Sequence, residues 1–260
     1  MRSASHVSIV AAVCLLATSM AGHGQNLLVN PGFENGTDSA ADNWSMFGNS
    51  FRDTRSAQTG TFGISMYGNF TNAVNYSGLY QDVAAVGGAT YLATVYVSTA
   101  DYDQIGPDNT AFLKLEFYDA STNYLGAFPA SNPLTNTSPV NTWILQTVSA
   151  TAPAGAAVVR TTLIFEQDTG AGGSAFFDNV SLLVNPQPQI TSITVGPTNS
   201  LISFSSILGA THQVEMRDDL NAGSWSVLAS NIAGTGDIMQ IGDEYSSGQQ
   251  KRFYRVNASY

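Results

Sequence analysis

Segments in which apolar and polar residues alternate one by one recur along most of this chain, and they constrain its fold more than any other feature. Such alternation is typical of β-strands that bury one face. The segments are Gly63–Tyr67, Leu79–Val83, Thr90–Val97, Phe112–Tyr118, Trp143–Ala150, Arg160–Phe165 and Phe176–Val184. Turn-forming residues separate them, and no stretch shows an amphipathic helical period over ten residues. The sequence therefore predicts an all-β protein.

The N-terminus has the pattern of a secretory signal peptide. Arg2 precedes an apolar run at residues 7–17, and small residues follow at positions 19 and 21. The run is shorter than the roughly 20 residues that a membrane-spanning helix needs. We therefore expect residues 1–25 to be removed and the protein to be secreted, with no membrane span.

A short segment with two prolines, residues 185–189, divides the rest of the chain. Proline removes a backbone donor from a β-ladder and stiffens an extended segment. The sequence thus predicts a first domain at 26–184, a linker at 185–189 and a second domain at 190–260.

Charge and composition exclude several classes of function. The chain has 9 basic and 19 acidic residues and a formal net charge of −10, which argues against nucleic acid or anionic membranes as partners. Its single cysteine, Cys14, lies in the predicted signal peptide, and only His212 lies clearly beyond it. We therefore expect no thiol nucleophile and no cysteine- or multi-histidine-bound zinc.

Two motifs carry a resemblance to a known group of domains. The first reads NLLVNPGFENG at 26–36, and the second reads FFDNVSLLV at 176–184. Together they resemble the ends of the carbohydrate-binding modules of families 4, 9 and 22. The resemblance implies a galactose-binding-like jelly-roll β-sandwich that binds glycans. It also implies a structural calcium held by Glu34 and Asp178 with backbone carbonyls.

The residues themselves also favour a cation near Glu34 and Asp178. Strict alternation in the last strand of the first domain places Asp178 on an apolar face, where an uncompensated charge is costly. Two carboxylates without histidine or cysteine are the ligands that calcium prefers. In the alternative interpretation, Asp178 caps a turn through backbone amides and Glu34 is solvated.

Aromatic side chains that point outward are candidates for contacts with sugar rings. If three strands share a concave sheet, alternation directs Tyr96, Glu116, Tyr118 and Glu166 into a groove. Two more tyrosines are predicted to lie on loops at its ends, namely Tyr76 and Tyr102. The alternative is that these tyrosines are half-buried packing residues.

The second domain, 190–260, resembles a small fibronectin- or immunoglobulin-like β-module of secreted bacterial proteins. The resemblance rests on HQVEMRDDLNAGSWSVL at 212–228 and RFYRV at 252–256. We expect Trp225 and Tyr254 in its core. Spacing, adhesion and attachment to the cell surface are all open as its role.

Three functions remain after these arguments. The first is a secreted, non-catalytic protein that binds a polysaccharide, for which the negative charge favours a neutral chain. The second is a glycoside hydrolase or a part of one, with Glu116 and Glu166 as the carboxylates that such enzymes require. The third is a cell-surface or matrix adhesion protein.

Overall fold

A computed structural model describes residues 25–71, 73–168, 170–245 and 251–260. The predicted signal peptide lies outside the described residues except for its last position, Gln25. Within the described ranges, no helix is long and apolar enough to span a bilayer. The chain divides into two compact units, of which the first ends at Pro186 and the second begins at Gln187.

The first unit is built almost entirely of antiparallel strands, which confirms the all-β prediction. The strands are β1 (Gly36–Thr37), β2 (Ala40–Ala41), β3 (Ser45–Phe47), β4 (Asn49–Asp53), β5 (Gly63–Tyr67), β6 (Asn75–Ala84), β7 (Thr90–Ser98), β8 (Thr110–Asp119), β9 (Tyr124–Pro129), β10 (Ile144–Thr151), β11 (Ala156–Gln167) and β12 (Ser174–Val184). Single-turn 3₁₀ helices lie at Thr54–Ser56 and Asp101–Asp103. All seven strands that alternation predicted are present, as β5, β6, β7, β8, β10, β11 and β12.

These strands form two five-stranded sheets and a small hairpin of β1 and β2. Sheet I has the order β10-β7-β12-β5-β4, and sheet II has the order β3-β6-β11-β8-β9. The pairs β4–β5 and β8–β9 are consecutive in the sequence, and the other neighbouring strands of both sheets are far apart in it. The first unit is thus a β-sandwich of the kind that the alternation and the motifs predict.

One hydrophobic core lies between the two sheets. Each central strand sends every second side chain into it, as the period of two requires. Its largest fully buried members from sheet I are Ile64, Met66, Tyr91 and Phe177, and those from sheet II are Leu79, Leu113, Phe117 and Phe165. The intervening side chains of sheet II therefore face away from the core, and they form the surface described below.

The second unit has two three-stranded antiparallel sheets. Its strands are β13 (Gln189–Val195), β14 (Asn199–Ser205), β15 (Thr211–Arg217), β16 (Ser226–Ala233), β17 (Ile238–Glu244) and β18 (Phe253–Ser259). The sheet orders are β13-β14-β17 and β16-β15-β18. The two sequence motifs of this domain, at 212–228 and 252–256, fall on β15, the start of β16 and β18.

Trp225 does not lie in the core of the second unit, contrary to our expectation. Its ring is half-buried between two guanidinium groups, with the Cζ atom of Arg255 4.5 Å and that of Arg217 5.5 Å from the ring centroid. Tyr254 is also only half-buried, and its hydroxyl donates to the carboxylate of Asp243 at 2.8 Å. Both rings thus lie among charged groups.

His212 is a core residue of the second unit. Its side chain is fully buried, and Nε2 accepts a hydrogen bond from the backbone N–H of Ile207 at 3.1 Å. Burial lowers the pKa of the imidazole, although a hydrogen bond to the carbonyl of Ile232 acts in the opposite direction. A neutral histidine in this position stabilises the turn after β14.

Candidate functional site

A groove of about 460 Å³ crosses the outer face of sheet II. It is lined by side chains from β3, β6, β8 and β11 that alternate with core residues. The lining residues are Phe47, Tyr76, Tyr80, Phe112, Lys114, Glu116, Tyr118, Arg160, Thr162, Ile164 and Glu166. Because all of them stand on strands of one sheet, the backbone ladder fixes their spacing.

Arg160 occupies the centre of a row of charged residues in this groove. It lies opposite Asp82 on β6 and opposite Glu116 on β8. The guanidinium makes two hydrogen bonds to Asp82, at 2.6 Å from Nε and 2.8 Å from Nη2. This contact raises the pKa of Arg160 above its usual range, so the side chain is a permanent cation.

The same guanidinium contacts two tyrosine rings. Its Cζ atom lies 3.8 Å from the ring centroid of Tyr80 and 4.8 Å from that of Tyr118. Burial raises the pKa of the Tyr118 hydroxyl, and the nearby charge of Glu116 adds to this effect. Arg160 therefore covers part of both rings.

Glu116 is held by partners within the groove. Its Oε2 accepts a hydrogen bond from the hydroxyl of Thr162 at 2.7 Å, and its Oε1 lies 3.1 Å from the ammonium of Lys114. The carboxylate is therefore fixed in position, and its charge is balanced.

A glycine forms the floor of the groove beside these polar residues. Gly78 lies opposite Ile164 of β11 and opposite Phe47 of β3. A Cβ atom at this position would lie 2.6 Å from Cζ of Phe47, so the phenyl ring rests on the bare backbone. Phe112 lies opposite Ile164 on the other side. This part of the groove is apolar.

Glu166 and Tyr76 form the far end of the groove. They are directly opposed on β11 and β6, and Thr110 of β8 faces Glu166 on the other side. Tyr76 is 48% exposed, and Glu166 is half-buried. The groove thus passes from a polar, ion-paired half around Arg160 to an apolar half that ends in a carboxylate and an accessible ring.

Tyr96 does not belong to this surface. The prediction that its strand shares a sheet with Glu116, Tyr118 and Glu166 is wrong, because β7 pairs with β10 and β12 in sheet I. Tyr96 does point away from the core, as predicted, but it does so on the opposite side of the sandwich. Its cross-strand neighbours there are Leu145 and Asp178.

Tyr102 is also separate from the groove. It lies in the second 3₁₀ helix, is 69% exposed and contributes no atom to the lining. Its electrostatic neighbour is Arg55 in the first 3₁₀ helix, which follows β4 of sheet I.

Sequence reasoning placed Tyr76 on a loop and did not single out Tyr80. Both belong to β6, which begins at Asn75, four residues before the alternating segment that predicted it. That segment begins at the core residue Leu79, so its alternation already directs Tyr80 outward. The signal for Tyr80 was present in the pattern.

The two groove glutamates are too far apart for glycoside hydrolysis. Glu116 is opposite Arg160, whereas Glu166 lies six residues further along the same strand, β11. At about 3.3 Å per residue, this separates them by roughly 20 Å. Glycosidases place their two carboxylates roughly 5–10 Å apart, so Glu116 and Glu166 cannot act as such a pair.

A second candidate site is formed by Glu34 and Asp178, which the fold brings together as predicted. Glu34 Oε1 accepts hydrogen bonds from the amides of Thr61 and Phe62, at 2.9 and 3.1 Å. The charge of Glu34 is close enough to raise the pKa of Asp178, in addition to the larger effect of burial.

Asp178 is fully buried and binds the same loop as Glu34. Its Oδ2 accepts hydrogen bonds from the amides of Gln58 and Thr59, at 2.8 and 3.1 Å, and its Oδ1 accepts one from the amide of Asn179 at 2.7 Å. The capping of a turn by Asp178, which was our alternative interpretation, is therefore present. Glu34 caps the same loop, so it is not simply solvated.

Strict alternation gave the wrong face for Asp178. A β-bulge lies between Asp178 and Ser181, and Asn179 adopts a left-handed backbone conformation with φ of 54°. One extra residue reverses the direction of every later side chain. Asp178 therefore faces outward from sheet I, whereas Val180 and Leu182 face the core.

The turn that carries Glu34 is fixed by a buried arginine. Arg52 donates to the carbonyl oxygens of Phe33 and Glu34, at 2.7 and 2.6 Å. Phe33 is fully buried, and its ring centroid lies 5.2 Å from that of Trp44. These contacts hold the Glu34 carboxylate against the loop.

The donor set at Glu34 and Asp178 fits a hard cation. Oε2 of Glu34 has no hydrogen-bond partner among the described residues, and Oδ1 of Asp178 accepts only from the next residue in the chain. Two mutually repelling carboxylates, one of them fully buried, require compensation. In the parts of the chain that the structure describes, no group of three or more His, Cys, Asp or Glu side chains is placed to hold a metal ion, so an ion at this pair would need further oxygen ligands.

The sequence matches no protein-family model and no curated protein. The fold is similar to that of several solved carbohydrate-binding modules. One, described as TmCBM61 in complex with β-1,4-galactotriose, shares 18% identity over 61% of this chain and 98% of its own, with a TM-score of 0.41. A second, family 16 carbohydrate-binding module 2, shares 21% identity over 61% of this chain and 99% of its own, with a TM-score of 0.40.

A third similar structure is a xylanase 10B fragment of Clostridium thermocellum with CBM22-1 and GH10 modules, complexed with xylohexaose. It shares 16% identity over 55% of this chain, with a TM-score of 0.41. This chain covers 26% of that fragment. These similarities concern the fold of the domain.

Proposed function

We propose that the first unit binds glycan chains in the groove of sheet II without catalysing a reaction. The observation that carries this proposal is an open groove, in which aromatic rings and hydrogen-bonding groups stand at fixed positions on the strands of one sheet. Sugars present C–H faces to rings and hydroxyl groups to polar side chains. A rigid surface that offers both is suited to a polysaccharide chain.

Tyr76 is the ring that we assign to stacking on a sugar. It is 48% exposed, whereas Arg160 covers part of the rings of Tyr80 and Tyr118. In the polar half of the groove, Arg160 and Glu116 instead supply hydrogen bonds to hydroxyl groups. We therefore expect stacking at one end of the bound chain and hydrogen bonding in its middle.

The charges of the groove disfavour acidic glycans. Arg160 is balanced by Asp82 and Lys114 by Glu116, which leaves the charge of Glu166. The net charge of the groove is therefore negative, as is the net charge of the whole chain. Glycans without acidic groups avoid this repulsion, so they are the expected ligands rather than polyuronates.

We also propose a structural calcium ion at Glu34 and Asp178. Oε2 of Glu34 and Oδ1 of Asp178 are the oxygens that would bind it. The cation would neutralise the two carboxylates and stabilise the loop at residues 58–62, without a part in glycan binding. If a chelator leaves the melting temperature of the protein unchanged, this part of the proposal is wrong.

Secretion is the expected location, and it rests on the predicted signal peptide at residues 1–25. Soluble glycans and cell-wall polysaccharides are both available outside the cell. Expression in a bacterial host with an export pathway, followed by mass measurement of the exported protein, tests whether cleavage occurs between Ala21 and Gln25.

Affinity electrophoresis tests the glycan-binding proposal. The full chain is run through gels that contain xylan, β-1,4-galactan or β-glucan, and we expect retardation by at least one of them. Tyr76→Ala should abolish the retardation, whereas Tyr102→Ala, which removes a more exposed ring outside the groove, should preserve it. No retardation in any gel, or equal loss in both variants, would contradict the proposal.

A further inference from the structure

The Glu166 end of the groove carries a negative charge that no side chain of the first unit balances. Residues 25–186 contain four basic residues, and each of them has a partner elsewhere. Arg52 binds the carbonyl oxygens of Phe33 and Glu34, Arg55 pairs with Asp53, Lys114 with Glu116, and Arg160 with Asp82. Across the described parts of this unit, Glu166 has no ion pair.

No basic residue of the groove can reach Glu166 without leaving its own partner. The nearer one, Lys114, lies opposite Thr162, four residues before Glu166 on β11. This offset corresponds to roughly 13 Å along the strand. The exposed residue Asp168 follows two positions later, and it adds negative charge at the same end.

The immediate surroundings of Glu166 are suited to a cation that is also partly apolar. Tyr76 is directly opposite, and directly opposed side chains have Cβ atoms about 5 Å apart. An accessible ring attracts a cation through its face, and a carboxylate attracts it by charge. The apolar floor at Ile164 and Phe112 continues from this point along the groove.

We propose that this end of the groove recognises a protonated amino sugar, so that the preferred ligand is a glycan with free amine groups, such as a chain of β-1,4-linked glucosamine. The ammonium group binds the carboxylate of Glu166, and the sugar ring carrying it stacks on Tyr76. This inference rests on the proposed glycan-binding function, and it names the class of glycan.

Titration calorimetry of the full chain with three hexasaccharides tests the proposal. The probes are the β-1,4-glucosamine hexamer, its fully N-acetylated counterpart and xylohexaose. Below the pKa of the ligand amine, we expect the glucosamine hexamer to bind about tenfold more tightly than the acetylated one, since a charge-assisted contact is lost on acetylation. Above that pKa, the preference should disappear.

Two variants separate the local effect of Glu166 from that of net charge. Glu166→Gln should abolish the preference for the glucosamine hexamer over its acetylated counterpart. Asp101→Asn removes one negative charge outside the groove, and it should keep the preference. The inference is wrong if the preference survives in Glu166→Gln, or if the native chain binds both glucosamine ligands equally. In either case, binding of xylohexaose would still support the proposed function. Failure of all three hexasaccharides to bind overturns both.

Discussion

Glu34 and Asp178 come from opposite ends of the first unit, yet their carboxylates bind the same loop. Each accepts hydrogen bonds from two consecutive backbone amides of residues 58–62, at 2.9 and 3.1 Å for Glu34 and at 2.8 and 3.1 Å for Asp178. The loop therefore depends on two negative charges that repel each other. We therefore expect the stability of the unit to depend on pH.

We predict that removal of the Asp178 charge changes how stability depends on pH. Because the pKa of Asp178 in the folded state is above its ordinary value of 3.8, its contribution to the free energy of unfolding is largest at low pH and declines as the pH rises past that value. In Asp178→Asn, this decline is absent. Chemical denaturation in the presence of a chelator, at a series of pH values, measures the free energy of unfolding of the native protein and of the variant.

Calcium is the control for that experiment. If the ion binds the ionised carboxylates, the native protein should gain stability with calcium at neutral pH, and Asp178→Asn should gain much less. A stability difference between the two proteins that stays constant with pH would contradict the assignment of the shifted pKa to Asp178.

Arg160→Lys should weaken both the fold and the groove. Lysine keeps the charge but cannot make the two hydrogen bonds to Asp82 while it covers Tyr80 and Tyr118. We expect a loss of about 1 kcal/mol in the free energy of unfolding, and a several-fold loss of glycan affinity as the two rings become mobile. Arg55→Lys is the matched control, since the pair of Arg55 with Asp53 lies outside the groove. An equal loss of glycan affinity in Arg55→Lys would refute the role of Arg160.

Gly78→Ala should destabilise the first unit through crowding of the groove floor. The new methyl group would meet the carbonyl oxygen of Leu163 and, at 2.6 Å, the ring of Phe47. Because backbone and ring must both shift, we expect a cost of about 2 kcal/mol. Gly172→Ala adds the same methyl group in open space. Denaturation curves that coincide for the two variants would show that the floor is not tightly packed.

Asp243→Ala should destabilise the second unit by about 2 kcal/mol. The largely buried Arg252 would keep only its pair with the exposed Asp218, and the hydroxyl of Tyr254 would lose this acceptor. Arg252 donates to Asp243 at 2.9 and 3.1 Å, and Tyr254 donates to it at 2.8 Å. Hydrogen exchange of the amides in β14, β17 and β18 locates the effect. Asp237→Ala, at an exposed position of the same unit, should leave this exchange unchanged, and comparable acceleration by both variants would contradict the prediction.

Alternation predicted the direction of side chains well but not the sheet to which a strand belongs. On β8 and β11, it correctly directs Glu116, Tyr118 and Glu166 away from the core. For β7, it gave the correct face for Tyr96 and the wrong sheet. The period of two reflects only that one side of a strand is buried, and pairing with β10 and β12 depends on contacts that are distant in the sequence.

The other errors have local causes. A single residue in the left-handed region, Asn179, inverts the face of Asp178 relative to Leu182, and nothing in the alternation of that segment indicates the bulge. Trp225 has a large apolar ring and lies next to the start of β16, and both features led us to expect it in the core. Two arginines that lie 8 residues before it and 30 residues after it in the sequence stabilise it at the surface instead.

The position of β12 in sheet I has a mechanical consequence. This strand leads directly into the second unit, and it is hydrogen-bonded on its two sides to β7 and β5. Its end is also joined to the first described residues, since Leu27 donates to the carbonyl of Leu182 at 2.9 Å. A force that pulls β12 along its own axis, from the chain beyond Pro186, would shear its hydrogen bonds to β7 and β5. Many of these bonds must then break together before the strand separates from the sheet. We therefore expect the first unit to resist mechanical unfolding when its groove is fixed to an immobile polymer and the force is applied through β12.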